Sequence, residues 1–177
     1  MEASLKEVKD SIGAIPDYPK PGIIFRDITP LLQNPSAFKS SIEAFKKRYQ
    51  GERITQIAAI EARGFLFGAA LAYALDCGVT LLRKPGKLPG KTVCQSYELE
   101  YGSDELHIHE NALSADDNVL IIDDLLATGG TVLAAEKLIR STGASVKEAA
   151  FVVSLTELGG EDKLRQAGIA CYTLCQF

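Results

Sequence analysis

The stretch that most constrains this chain is Val119-Leu120-Ile121-Ile122-Asp123-Asp124-Leu125-Leu126-Ala127-Thr128-Gly129-Gly130-Thr131. Its opening run of apolar, β-favouring residues predicts a strand buried on both faces, as in a parallel sheet. The carboxylates of Asp123 and Asp124 follow where that strand is expected to emerge. A short loop, Ala127 to Thr131, then supplies glycines and hydroxyls. Val132, Ala135, Leu138 and Ile139 keep helical spacing after it, and Gly143 stands at a C-cap position. The order is strand, acidic pair, glycine loop, helix.

That order implies a ligand. A helix N-terminus presents unpaired amides and partial positive charge, which suit an anion. Gly129 and Gly130 let the backbone approach closely, and Thr128 and Thr131 add hydroxyl donors, so the loop fits a phosphate. Carboxylates repel a phosphate but suit sugar hydroxyls or a divalent cation. A ribose 5-phosphate meets both demands. No Gly-x-x-x-x-Gly-Lys-Ser/Thr is present and no Gly-x-Gly-x-x-Gly follows a strand, which argues against a P-loop ATPase and a dinucleotide fold. Taken as a fragment, Gly-Gly-Thr is also an ordinary turn.

The full thirteen residues resemble the phosphoribosyl-diphosphate fingerprint of the type I phosphoribosyltransferases. Four other stretches are similar to the adenine-using branch of that family: Gly22 to Leu32, Glu61 to Gly68, Arg83 to Gly90, and Ser96 to Gly102. The resemblance covers nearly the whole chain after residue 10. It implies an α/β fold, a mostly parallel twisted sheet flanked by helices, with an N-terminal hood and a flexible hairpin loop.

The rest of the chain agrees. Its length suits one domain, residues 1–177, with 1–35 as a hood. Nineteen basic against twenty-three acidic residues leave a net charge of −4, which argues against broad nucleic-acid or anionic-membrane binding. No apolar run approaches the roughly 18 residues of a membrane span, and the charged N-terminus is no signal peptide. Cys77, Cys94, Cys171 and Cys175 form no Cys-x-x-Cys pair and are read as free thiols of a reducing cytoplasm, not as a disulfide frame or zinc site. His107 and His109 alternate with Ile108, which puts both on one strand face; of a metal reading and a reading as exposed hairpin residues, the second is favoured.

In chain order, residues 2 to 12 predict a short amphipathic helix. The prolines between residues 13 and 35 disfavour regular structure, and the apolar run around Ile24 predicts an ordered segment folded over the core. Asn34-Pro35 predicts an N-cap and first helical residue. Ile57 to Ile60 is a short buried strand ending at Glu61-Ala62-Arg63-Gly64, with a helix from Phe65 to Leu75. Arg63 thus stands at a strand's C-terminal end, where ligands of open α/β sheets gather. Val79 to Leu82 is a strand running into the basic loop of Arg83, Lys84, Lys87 and Lys91. Residues 92 to 99 and 105 to 109 are extended arms around a tip. A strand from Val146 to Leu155, a helix from Asp162 to Ala167 and a strand from Cys171 to Phe177 complete the chain.

The resemblance also implies an activity: adenine and 5-phosphoribosyl 1-diphosphate give AMP and pyrophosphate, with Mg²⁺ as cofactor. It implies that Ala127, Thr128, Gly129, Gly130 and Thr131 hold the 5′-phosphate. Asp123 and Asp124 hold the ribose hydroxyls and favour an oxocarbenium-like transition state. Arg63, with Arg83, Lys84 and Lys87, faces pyrophosphate. No direct protein ligand to Mg²⁺ is expected, the ion being held through substrate near Asp123 and Asp124. Glu61-Ala62 is implied to be a non-proline cis peptide. Backbone groups of Ile24 and Arg26 read adenine, and Phe25 stacks on it. Glu100 and Tyr101 close over the site, Glu100 holding a proton at N7. A homodimer is expected, its basic loop reaching the neighbour's site. The rival readings are a sister enzyme for hypoxanthine, guanine or orotate, a phosphoribosyltransferase-like regulator without catalysis, and a receiver-type phosphorylation domain. A receiver needs a lone acceptor aspartate on another strand, and the chain shows no such position with an adjoining lysine.

Overall fold

The computed structural model describes residues 2–98 and 103–177, with side chains from residue 5 onward. The N-terminal segment contains α1 (Glu2–Asp10), an antiparallel ribbon of β1 (Gly13–Pro16) and β2 (Ile24–Asp27), α2 (Thr29–Gln33) and α3 (Pro35–Tyr49). The expectation that prolines keep residues 13–35 irregular is therefore corrected. Each proline falls where it is tolerated. Pro16 ends β1, Pro19 and Pro21 lie in the connecting turn, and Pro30 and Pro35 occupy the first turns of α2 and α3. The Asn34 side chain caps α3 as expected, accepting from the amides of Ser36 at 3.0 Å and Ala37 at 3.2 Å.

The central sheet is built from β3 (Gln56–Ile60), β4 (Gly78–Leu82), β7 (Asn118–Leu126), β8 (Ser145–Ser154) and β9 (Cys171–Gln176). Its order is β4-β3-β7-β8-β9 and every neighbouring pair is parallel. Strands buried on both faces need apolar residues at consecutive positions, which the runs Ala58-Ala59-Ile60 and Val119 to Ile122 supply. One face packs Ile57, Leu120 and Ile122 against Phe45 of α3 and against Phe67 and Leu71 of α4 (Gly64–Leu75). The opposite face packs Ile121 and Phe151 against Val132 and Leu138 of α5 (Gly130–Ser141). Leu164 of α6 (Gly160–Gln166) joins that second cluster.

An antiparallel hairpin, β5 (Thr92–Glu98) and β6 (Ser103–His109), lies over α5 with Leu106 and Ile108 buried. It is fastened to the end of β4 by a reciprocal pair of backbone bonds. The Arg83 amide donates to the His107 carbonyl at 3.0 Å, and the His107 amide donates to the Arg83 carbonyl at 2.8 Å. The hairpin was expected. Its His107 is half-buried rather than exposed, because this seam tucks it beside Thr92 and Glu105.

Candidate active site

The sheet has one point where its winding reverses. From β3 the chain crosses through α4 to β4 on one side. From β7 it crosses through α5 to β8 on the other, and the two helices cover opposite faces. A crevice therefore opens between the C-terminal ends of β3 and β7, the usual ligand position in such sheets. The turn Glu61-Ala62-Arg63 and the pair Asp123-Asp124 are the residues that meet there.

The pairing register explains how the acids reach the crevice. β3 and β7 pair only as far as Ala59 and Ile122, while β7 continues along β8 to Leu126. Asp123 and Asp124 are thus inside the strand, not beyond its end as the sequence suggested. They sit on a stretch whose β3 side is free because β3 has already turned away. The start of α4 fills that side. A Cβ on Gly64 would lie 2.9 Å from both Asp123 Oδ1 and the Ile122 carbonyl, so only glycine lets α4 begin this close to the acids. The Glu61-Ala62 peptide is cis, as the resemblance implied.

The electrostatics of the pair are unusual. Asp124 is only 3% exposed, and its Oδ2 has no hydrogen-bond donor. Arg63 Nε lies 3.0 Å from that oxygen as an ion-pair contact that lacks hydrogen-bond geometry. The Asp124 amide donates to Asp123 Oδ1 at 2.8 Å. Burial, and then the Asp124 charge beside it, push the Asp123 carboxyl well above the ordinary range. Burial also raises Asp124, opposed by Arg63. Asp124 is buried and Asp123 half-buried, and the Asp124 Oδ2, ion-paired but without a hydrogen bond, is poised to accept a hydroxyl donor.

Next to the acids, Gly129 caps α5 at φ +81°, and the first amides of α5 have no intrahelical acceptor. The expected loop is shorter than Ala127 to Thr131, because α5 already begins at Gly130: Ala127, Thr128 and Gly129 form the loop, and Gly130 and Thr131 stand in the first helical turn. A second support beneath it was not foreseen: a Cβ on Gly160, at the start of α6, would lie 2.2 Å from the Ala127 carbonyl oxygen. Taken alone, Gly159-Gly160 reads as a turn, since nothing local to it marks which loop it touches. The hairpin closes the other side, as the Glu98 carbonyl lies 3.5 Å from where a Cβ of Gly130 would be.

The basic loop is more engaged than its composition suggested. Arg83 donates through Nε to Glu61 Oε2 at 3.2 Å and through Nη1 to the Lys87 carbonyl at 2.8 Å. The Lys84 amide donates to Glu61 Oε2 at 2.9 Å. Lys84 Nζ contacts the Tyr97 hydroxyl at 2.5 Å and pairs with Asp104. Burial favours the neutral form of Glu61, but the Lys84 amide and Arg83 outweigh it and hold the carboxyl below its usual range. Glu61, whose side chain sequence reasoning gave no role, is therefore the post that fixes the loop to the crevice.

On the hood side, the Phe25 ring stands edge-on to Tyr18 at 5.2 Å and under the Arg63 guanidinium at 5.6 Å. Arg63 thus links the acids to the hood. Ile24 is exposed and faces Pro16, which has no amide to offer it. The Arg26 guanidinium lies 4.0 Å over the Phe177 ring. Glu100 and Tyr101 lie outside the described residues, between the ends of β5 and β6.

Comparison with known proteins agrees with this arrangement. The family model described as phosphoribosyl transferase domain matches residues 27–170. An adenine phosphoribosyltransferase of Idiomarina loihiensis is 75% identical over 177 residues, covering 100% of both chains. One of Pectobacterium carotovorum is 57% identical over 170 residues, 96% of this chain and 92% of the other. The Saccharomyces cerevisiae adenine phosphoribosyltransferase, solved with an imino-altritol bisphosphate and adenine, superposes with a TM-score of 0.93 at 40% identity, covering 99% of this chain and 100% of that one.

Proposed function

We infer that this chain, which belongs to the phosphoribosyl transferase domain family, transfers the 5-phosphoribosyl group from 5-phosphoribosyl 1-diphosphate to adenine. AMP and pyrophosphate are the products, a purine-salvage reaction. The observation that carries this reading is the meeting of Asp123-Asp124, the Ala127 to Thr131 loop and Arg63 at one reversal point of the sheet.

The chemistry follows from the donors present. Amides of the α5 first turn, with the Thr128 and Thr131 hydroxyls, bind the 5′-phosphate. Asp123 and Asp124 accept the ribose hydroxyls, which supply the donor that Asp124 Oδ2 lacks. Hydroxyl binding favours the ionised pair, whose charge then stabilises the positive charge growing on the sugar as its bond to the leaving group lengthens. Arg63 faces the departing diphosphate, joined by Lys87 and by Lys84 when it leaves Tyr97 and Asp104. The oxygen donors of the acidic pair also fit Mg²⁺, which prefers oxygen ligands and is carried largely by substrate phosphates. When bound, that ion neutralises leaving-group charge. Adenine lies against Phe25, with backbone groups of Ile24 and Arg26 reading its edge. Glu100 holds a proton at N7 and Tyr101 closes over the site.

We place residues 1–35 as the hood of a single domain, in a homodimer of the cytoplasm. The dimer is supported by the apolar side chains left exposed on edge strand β4 and on α4: Val79, Leu81, Leu66 and Tyr73. Sedimentation is expected to give twice the chain mass, and Leu81→Lys is expected to shift it to the monomer. Free thiols at Cys77, Cys94, Cys171 and Cys175 suit a reducing compartment. Among the described residues no helix is long and apolar enough to cross a membrane.

Incubating the purified protein with phosphoribosyl diphosphate, Mg²⁺ and each free base tests the reading. AMP from adenine, with little product from hypoxanthine, guanine or orotate, is expected. A preference for another base, or no transfer at all, would replace it with one of the rival readings.

A further inference from the structure

We infer that the outer face of the β5–β6 hairpin is a binding site for a thiophilic divalent metal ion of the Zn²⁺ type, held by Cys94, Glu105 and His107. One potential ligand atom from each residue lies within 4.8 Å of the others. Strand pairing builds the cluster. Cys94 stands directly opposite His107, and Ser96 opposite Glu105. Glu105 and His107 are two apart on β6 and therefore share a face, opposite the face that buries Leu106 and Ile108. Zn²⁺ bonds to sulfur and nitrogen of about 2.0–2.3 Å put tetrahedral ligand atoms roughly 3.3–3.7 Å apart, so rotation of side chains by about an ångström closes the site.

The surroundings already orient two of the ligands. His107 Nδ1 lies 3.2 Å from Thr92 Oγ1, and its Nε2 lies 3.1 Å from Glu105 Oε2. Without metal, His107 Nε2–H donates to Glu105; when an ion takes the place of that proton, Nε2 and the carboxylate both face it and Nδ1–H donates to Thr92, a second hydrogen bond of the kind that fixes metal-binding histidines. Ser96 Oγ donates to Glu105 Oε1 at 3.1 Å and fixes the carboxylate in turn. Cys94 is exposed, which leaves a further position open to water.

Thiolate, imidazole and one carboxylate select a Zn²⁺-type ion over Mg²⁺. The site is therefore chemically separate from the magnesium that accompanies the diphosphate. It bridges the two arms that lead into residues 99–102, and an ion there rivets one arm to the other. Residue spacing could not reveal it. The ligands contain no Cys-x-x-Cys or His-x-x-x-His, and only the cross-strand register brings them together. The reading of all four cysteines as plain free thiols is revised at Cys94 alone.

The test is titration of metal-free protein with Co²⁺, followed by thiolate-to-cobalt charge-transfer absorption. One Co²⁺ per chain is expected, displaced by Zn²⁺ and not by excess Mg²⁺. Cys94→Ser should abolish the band, while Cys77→Ser should keep it. Thr92→Val, which removes only the anchor on Nδ1, should weaken binding by about 10- to 100-fold. Circular dichroism and thermal unfolding check that each variant is folded. Absence of the band in the parent protein, a band that survives Cys94→Ser, or one unchanged in affinity by His107→Gln would overturn the assignment.

Discussion

Gly160→Ala is expected to impair phosphoribosyl-diphosphate binding although Gly160 has no side chain with which to contact it. The new Cβ would sit 2.2 Å from the Ala127 carbonyl oxygen and 3.0 Å from Leu126 Cγ and Cδ1. An ordinary carbon–oxygen contact is about 3.3 Å, so relief requires roughly 1 Å of movement between α6 and the loop. The obstacle is backbone, which cannot rotate away as a side chain would. Overpacking of this kind costs about 1–3 kcal/mol, and each kcal/mol lowers Tm by about 2–4 °C in a chain of this size. The functional cost is larger, because about 1 Å of misplacement in a positioning group can cost on the order of 10²-fold. Steady-state kinetics should show kcat/KM for phosphoribosyl diphosphate falling by about that factor, with calorimetry showing weaker binding of the diphosphate. Gly168→Ala is the control. It adds a Cβ with nothing within 4 Å at φ +76°, so it strains the backbone without touching the loop. A Gly160→Ala protein that is destabilised but binds phosphoribosyl diphosphate normally would refute the coupling of α6 to the phosphate loop.

Three further outcomes are expected. Asp124→Asn should fold normally and lose on the order of 10²-fold or more in kcat/KM, and normal turnover in a folded variant would remove the acidic pair from the chemistry. Asp123→Asn should flatten the dependence of Tm on pH. Its raised carboxyl lets the folded state keep a proton that the unfolded chain releases near pH 3.9, so this contribution is complete at low pH and is lost as pH rises through the elevated folded value. A higher Tm than the parent at neutral pH is the expected sign, and a lower one contradicts it. Glu100→Ala should lower kcat by roughly 10²–10⁴-fold, Glu100→Gln should recover little, and binding of phosphoribosyl diphosphate should change far less. Turnover near the parent's in both variants would leave Glu100 without a proton-transfer role.

The residues that needed only local patterning were legible in the sequence. A run such as Val119 to Ile122 has no amphipathic alternation, so it had to be buried on both faces, and Asn34-Pro35 had to begin a helix. What was not legible depends on contacts between segments far apart in the chain. The extension of β7 through the acids follows from β8 continuing beside it after β3 has turned away. The capture of Arg83 and the Lys84 amide by Glu61 joins a turn to a loop more than twenty residues on, and no periodicity signals it. Gly160 beneath Ala127 and Cys94 opposite His107 are of the same kind. The proline-rich segment misled for a different reason. Proline opposes regular structure in element interiors, but here it stands at strand ends and in first helical turns.

A crystal structure of the protein with AMP bound tests the central claim most directly. The predicted complex has the phosphate on the amides and hydroxyls between Ala127 and Thr131. Its ribose hydroxyls donate to Asp123 and Asp124, supplying the hydrogen bond that Asp124 Oδ2 lacks, and its adenine lies against Phe25. AMP bound with its phosphate on the Arg83 to Lys91 loop, or with its ribose away from the carboxylates, would contradict the account.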